Sequence, residues 1–136
     1  MNLSSYRKIT SLNKDIVQCR ACPRLVEFRE AVARKKRKQF EAWDYWGKPV
    51  PGYGEPGASL LLTGLAPAAH GGNRTGRVFT GDKSADFLVR CLYDVGIANQ
   101  PNSDSLDDGL ELINAYMTPV LKCVPPEDKP KPDELK

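Results

Sequence analysis

Apolar residues recur three and four apart over residues 4–17, with Leu12, Ile16 and Val17 on one side, which predicts a helix. Pro23 opens a second, strongly basic helical stretch over 23–39. Residues 43–58, WDYWGKPVPGYGEPGA, are crowded with proline, glycine and aromatics and predict a loop. Within it Trp43, Tyr45 and Trp46 read as a small packing cluster. The period then changes. SLLLTGLAP (59–67) is a continuous aliphatic run entering a glycine turn, the pattern of a strand buried in a parallel sheet. Residues 83–95 return to helical spacing and end near Gly96, with Cys91 expected in the core. A polar, acidic stretch follows at 104–111. INAYMTPVLKCVPP (113–126) predicts a second strand, interrupted by Pro119. A last helix start falls at Pro132. The expectation is an α/β domain over 1–136, with helices and a loop over 1–58 and the beginning of the sheet over 59–136. If the strands are parallel, their carboxyl ends open on one side, where α/β sheets bind ligands.

With 136 residues, 40% of them hydrophobic and 27% charged, the chain suits one globular domain. It contains no membrane-length apolar run and no secretory pattern in its first residues, so a cytoplasmic protein without membrane contact is expected. The net charge of +3 is uneven: residues 1–60 hold 12 Lys and Arg against 6 Asp and Glu, whereas the remainder holds 8 against 11. The basic excess peaks at 34–38, RKKRK, and suggests a polyanionic partner or a solvated helix face.

Cys19 and Cys22 form a C-x-x-C, a spacing that lets two thiolates reach one metal or cluster. Pro23 follows and no strand precedes, which favours ligation over redox exchange. Cys123, just past the second strand, is the better third ligand. Three ligands suit neither tetrahedral zinc nor an iron–sulfur cluster fully. The chain stops at a helix start, so it reads as the N-terminal part of something longer, with a fourth ligand expected beyond Lys136.

GLAPAAHGGNRTGRVFTGD (64–82) follows the first strand and holds the only histidine, His70, with five glycines. No Gly-Lys-Ser/Thr follows the glycines, and their spacing is not that of a dinucleotide fingerprint. The stretch offers backbone N–H groups at Gly71 and Gly72, Arg74 and Arg77 for phosphates, Phe79 for stacking on a flat ring and Asp82 to orient a water. Together these suit an enzyme acting on one base of a nucleic acid.

CRACPRLV (19–26), PVPGYG (49–54), the 64–82 stretch and KCVPPEDKP (122–130) together resemble the iron–sulfur uracil-DNA glycosylases, in particular the family 5 branch. The resemblance implies a parallel-sheet α/β/α sandwich whose C-terminal part lies beyond these residues. It implies a base-excision enzyme acting, as a monomer, on DNA that contains uracil or other deaminated bases such as hypoxanthine. Gly64, Leu65, Ala66 and Pro67 match the turn that touches the flipped base, Phe79 the ring that stacks on it, and His70 the pocket wall. Asp82 matches an aspartate used in catalysis. Cys19, Cys22 and Cys123 match three ligands of a 4Fe–4S cluster with a structural role; the spacing alone leaves zinc open.

Two positions depart from the family pattern. Asp128 stands where relatives often carry Asn; an ionised Asp cannot donate to a base carbonyl, so it could share the water-positioning role or alter base preference. Pro119 removes an N–H at a strand position used in some branches to read uracil. Two other readings stand beside the enzyme: a non-catalytic metal-binding module for nucleic acid, and an inactive fragment of a glycosylase. The 136 residues alone are expected to be poorly stable and weakly active.

Overall fold

The computed structural model describes residues 2–136. Helix α1 (Leu3–Val17) starts where the Asn2 side chain accepts the Ser4 N–H at 2.8 Å. Helix α2 (Pro23–Lys35) has proline in its first turn and stops at Lys36, whose φ of 54° is left-handed. The basic helix expected to reach 39 therefore ends earlier, and a single 3-10 turn, Lys38–Phe40, follows. The RKKRK run consequently bends over the surface instead of forming one helix face.

Two residues, Tyr53–Gly54, form β1 and Leu60–Gly64 form β2. After the short helix α3 (Gly72–Thr75) comes α4 (Lys83–Asp94), then β3 (Ala115–Pro119). The sheet order is β1-β3-β2. β2 and β3 are parallel, Leu60 opposite Ala115 and Gly64 opposite Pro119, and α4 crosses between them. β1 is antiparallel to β3. The α/β class expected from the sequence holds; within 2–136 the sheet is small and mixed. β3 ends at Pro119, which has no N–H to give to a ladder, so the interruption expected there holds. Pairing continues past it in backbone bonds from Val120 to Gly64 O (2.8 Å) and Leu121 to Leu65 O (2.9 Å). The helix start expected at Pro132 is a 3-10 helix, Pro132–Leu135.

Alternation in β3 buries Ala115, Met117 and Pro119. Met117 meets Val50, Val78, Val89 and Leu112 in the main core; complete burial of such a side chain is worth about 1.5–3 kcal/mol. Ala85, Val89 and Leu92 give α4 its buried face. Cys91 lies off that face and is exposed, which overturns its expected core position. The helix expected over 4–17 holds as α1, but its apolar side is not covered within residues 2–136. Leu12 is 56% exposed, and no residue of this helix is buried.

Candidate active site

The carboxyl ends of β2 and β3 lie together, as parallel pairing requires. From β2 the chain enters Leu65, which is exposed, and Pro67, which is fully buried. Ala66 packs against a second apolar cluster of Leu25, Leu121, Cys123 and Cys22. Gly64 faces the ring of Phe79: a Cβ built there would stand 2.8 Å from Phe79 Cζ. Phe79 itself has a φ of 49°. A left-handed aromatic residue is uncommon and costs about 1–3 kcal/mol, so its surroundings must hold it.

Asp82 caps α4, its Oδ1 accepting the Ala85 N–H at 2.8 Å. Its Oδ2 lies so close to Gly71 that a methyl on that glycine would collide with it. One oxygen therefore serves the helix while the other faces the glycine turn. Both residues border an open cleft of about 700 Å³, together with His70, Arg74 and Asp128. Asp128 reaches it from the 3-10 turn Pro126–Asp128, where Glu127 and Asp128 are successively left-handed at 56° and 57°. Asn and Asp tolerate that conformation best. The cleft mixes signs, with Asp86 and Asp104 on its walls beside Arg37 and Lys83.

His70 Nδ1 lies 2.8 Å from the Tyr45 hydroxyl. Phe40 stacks on the imidazole at 6.4 Å between centroids. Burial, then the positive charges of Arg37 and Arg74, hold its pKa below the ordinary histidine value. A neutral ring suits the hydroxyl contact, with Tyr45 donating to Nδ1. Phe40 and Trp43 thus belong to the cleft wall, with Tyr45 buried and bonded to His70, rather than to a separate packing cluster with Trp46, which packs against the main core. No local pattern marks this role, since loop aromatics carry the same letters in either setting.

Neither arginine of the motif presents itself as expected for phosphate. Arg77 is 5% exposed. Its guanidinium donates to Thr80 Oγ1 (2.9 Å), Ser103 Oγ (3.1 Å) and Asp108 Oδ2 (2.9 Å), and lies over the Tyr53 ring. Burial pushes Asp108 up, but the Asp104 and Leu110 amides and Arg77 outweigh it and hold its pKa low. Burial pushes the Tyr53 phenol up to about 12. Arg74 is 3% exposed, donates to His70 O and Gly81 O, and lies between the Phe40 and Trp43 rings at 3.8 and 4.1 Å. Its edge borders the cleft, but its hydrogen bonds go to the protein itself. Desolvation explains the difference from the expectation: a charged group enters an interior only when its donors are satisfied there.

Cys22 and Cys123 share one packed cluster. Arg29, 2% exposed, donates to Cys123 Sγ at 3.1 Å and to Cys19 O at 3.3 Å. Burial pushes the Cys123 thiol up, Arg29 opposes this, and the nearby Cys19 and Cys22 add to it. Cys22 and Cys123 thus come together from distant parts of the chain, and Cys19 is linked to them through its carbonyl and Arg29. Among the described residues no three His, Cys, Asp or Glu side chains form a group that could hold a metal ion. No helix of the described residues is long and apolar enough to cross a membrane.

The structure brings Asp82, Asp128, His70 and the edge of Arg74 to one cleft. It does not bring Gly64, Leu65, Ala66, Pro67 or Phe79 to its walls; these line the strand end behind it. A strand end opening on a glycine turn, a helix-capping aspartate and a facing Pro-Pro turn describe a particular class of α/β protein. The model of the uracil DNA glycosylase superfamily matches residues 51–136, and the chain belongs to that superfamily. It is 49% identical over 120 residues to a type-5 uracil-DNA glycosylase of Pyrobaculum aerophilum, covering 88% of this chain and 52% of that one. It is 50% identical over 121 residues to a type-5 enzyme of Thermus thermophilus, covering 89% and 54%. A type-4 uracil-DNA glycosylase of Sulfurisphaera tokodaii is 28% identical over 99 residues, covering 72% and 39%. The chain spans about half the length of the curated type-5 relatives it matches.

Proposed function

We propose that the full-length gene product is a DNA glycosylase that hydrolyses the N-glycosidic bond of uracil, and of other deaminated bases such as hypoxanthine, after flipping the base from the duplex. The observation that carries this reading is the divided Asp82 carboxylate, one oxygen capping α4 and the other turned to Gly71 at the cleft. Breaking the bond from C1′ to the base nitrogen builds positive charge on the sugar and negative charge on the departing base. A fixed carboxylate stabilises the sugar cation and orients the water that attacks C1′. Asp128, on the same cleft, is the second carboxylate within reach of that water. A neutral His70 can offer its Nε2 proton to an oxygen of the departing base. The names of the half-identical relatives, type-5 uracil-DNA glycosylases, support uracil in DNA as the substrate.

Cys19, Cys22 and Cys123 are three ligands of a 4Fe–4S cluster in this reading. Cys22 and Cys123 share one packed cluster, and the buried Arg29 guanidinium donates to Cys123 Sγ, a setting that suits a thiolate-rich group of negative charge. Such a cluster would tie the N-terminal helices to the strand end. Broad visible absorbance separates it from zinc.

The test is single-turnover excision from uracil- and hypoxanthine-containing duplexes by the full-length protein and its Asp82→Asn variant. Asn caps helices as well as Asp, so folding should be retained. The rate on uracil is expected to fall by about 10²–10⁴-fold, the range for a positioned acid or base. Full activity of the variant would remove Asp82 from the chemistry. A soluble, cluster-bearing protein that excises neither base would overturn the enzyme reading in favour of a nucleic-acid-binding module.

A further inference from the structure

Phe79 is the residue of the 64–82 stretch whose conformation is least self-supporting. Its backbone is left-handed, yet its ring must lie against Gly64 at the end of β2. What holds it comes from outside the stretch. Ser103, fully buried, donates its hydroxyl to Phe79 O at 2.9 Å, and its carbonyl accepts the Gly81 N–H at 2.8 Å. Thr80, also fully buried, lies with Oγ1 3.1 Å from Val78 O and 2.8 Å from Ser103 Oγ.

Proton counting shows how the set is ordered. Each hydroxyl has one proton and can accept others. Arg77 donates Nε–H to Thr80 and an NH2 proton to Ser103. Each hydroxyl thus accepts one bond from the cation and keeps a second lone pair. With the Ser103 proton on the Phe79 carbonyl, the Thr80 proton is shared between Ser103 Oγ and the Val78 carbonyl, so the set holds the carbonyls of the peptide links on either side of Phe79. Asp108 fixes Arg77 at 2.9 Å and is itself fixed by the N–H groups of Asp104 (2.7 Å) and Leu110 (3.0 Å). The acidic 104–111 stretch, which the proposed chemistry leaves without a role, is the anchor of this chain of bonds.

We infer that Ser103 and the Arg77–Asp108 pair are positioning residues for the Phe79 ring, to which the glycosylase reading gives base stacking: they lock the Phe79 peptide so that the phenyl group stands beside Gly64 at the strand end in the free protein. The inference rests on the glycosylase reading for what the ring contacts. A prepositioned ring needs no rearrangement when the base arrives, so loosening it should lower the rate of excision more than it weakens DNA binding.

The experiment is a double-mutant cycle in the full-length protein with Ser103→Ala and Phe79→Ala, read as the single-turnover rate at saturating uracil DNA. Ser103→Ala is expected to cost about tenfold in an otherwise unchanged protein, a modest share of the ~10²-fold loss a misplaced reacting geometry can cause. In the Phe79→Ala background it should cost nothing further. An equal loss in both backgrounds would make Ser103 merely structural and overturn the inference, as would no loss in either. A second readout is independent of catalysis: 4-fluorophenylalanine placed at position 79 and observed by fluorine NMR. One sharp line is expected, broadened or split by Ser103→Ala and by Asp108→Asn, the second variant serving should the first not fold. A line unchanged by the variant would sink the positioning role. If the unmodified protein excised no uracil, the glycosylase reading would fall while the fluorine lines would still decide whether Ser103 and Asp108 fix the ring.

Discussion

The N-terminal helix α1 and the stretch 71–80 are opposites in how they use polar residues. α1 looks amphipathic in sequence, yet none of its residues is buried. Residues 71–78 are buried without interruption although Asn73, Arg74, Thr75 and Arg77 are among them. The helix touches the domain through single polar contacts, such as Asn13 Nδ2 to Gly52 O (3.3 Å) and to the Tyr116 hydroxyl (3.0 Å). The motif stretch is held by a network in which Arg74, Thr75, Arg77 and Thr80 find partners inside the protein, Asn73 Oδ1 being a buried exception. Apolar periodicity marks where a core could form; buried, satisfied polarity marks where one geometry has to be kept.

The sharpest way to break that comparison is Arg77→Ala. Removing one partner of a buried pair strands the other, which costs about 3–5 kcal/mol. The unfolding free energy of the full-length protein in urea should fall by that amount. A loss under about 1 kcal/mol would mean that water enters and satisfies Asp108, and that the stretch is less closed than its burial indicates.

Gly71→Ala separates rigidity from chemistry within the same region. The added methyl would occupy the place of Asp82 Oδ2, so the carboxylate must turn away or the turn must shift. Overpacking of this kind costs about 1–3 kcal/mol. Excision, in contrast, should drop as far as in Asp82→Asn, because both changes take the same oxygen from the cleft. Stability lost with excision kept would show that Oδ2 is only a packing surface.

Much of this was legible beforehand, for stated physical reasons. The aliphatic run at 59–67 and the helical spacing at 83–95 placed β2 and α4 within a few residues, but the burial expected of β2 does not hold within residues 2–136, where Leu60 and Leu61 are 37% and 61% exposed. Asp82 could be read as both a cap and a site residue, because capping uses one carboxylate oxygen and leaves the other. Arg77 could not be read correctly. A buried arginine and a phosphate-binding arginine are the same letter, and the difference lies in Ser103 and Asp108, more than twenty residues away. The end of α2 was missed for a similar reason: Lys36 bonds through Nζ to Trp43 O at 2.5 Å, a contact the basic run does not announce. Cys91 was misplaced because apolar spacing alone does not say which side of α4 meets the sheet.

His70 sits at the margin of the buried region and gives a pH-dependent test. Its pKa in the folded protein is lowered by burial and by Arg37 and Arg74. The unfolded chain therefore takes up this proton first as pH falls. Stability from this group is complete above the ordinary histidine value of about 6.5 and is lost as pH drops through that value toward the folded one. The urea midpoint should decline over that interval, and the His70→Gln variant should show a flatter profile. Tyr45→Phe, which removes the 2.8 Å contact to Nδ1, should cost about 0.5–1.5 kcal/mol at neutral pH.

The smallest effects are expected in α1, and their order is informative. Leu12 is more than half exposed, so Leu12→Ala should change stability by no more than about 0.5 kcal/mol despite its place on the apolar side of the pattern. Asn13→Ala removes both hydrogen bonds, to Gly52 before β1 and to Tyr116 on β3, and should cost about 1 kcal/mol, more than the leucine. Urea denaturation of the two variants at full length decides the matter. If Leu12→Ala proved the costlier, the apolar side of α1 would be covered in the full-length protein. The contrast with the motif stretch would then be one of how much of the domain surrounds each region, not of how each uses its polar groups. If the asparagine proved costlier, α1 would be tethered by polar contacts in the whole protein as it is within these 136 residues, free to shift as a unit while the turn beside Asp82 stays fixed.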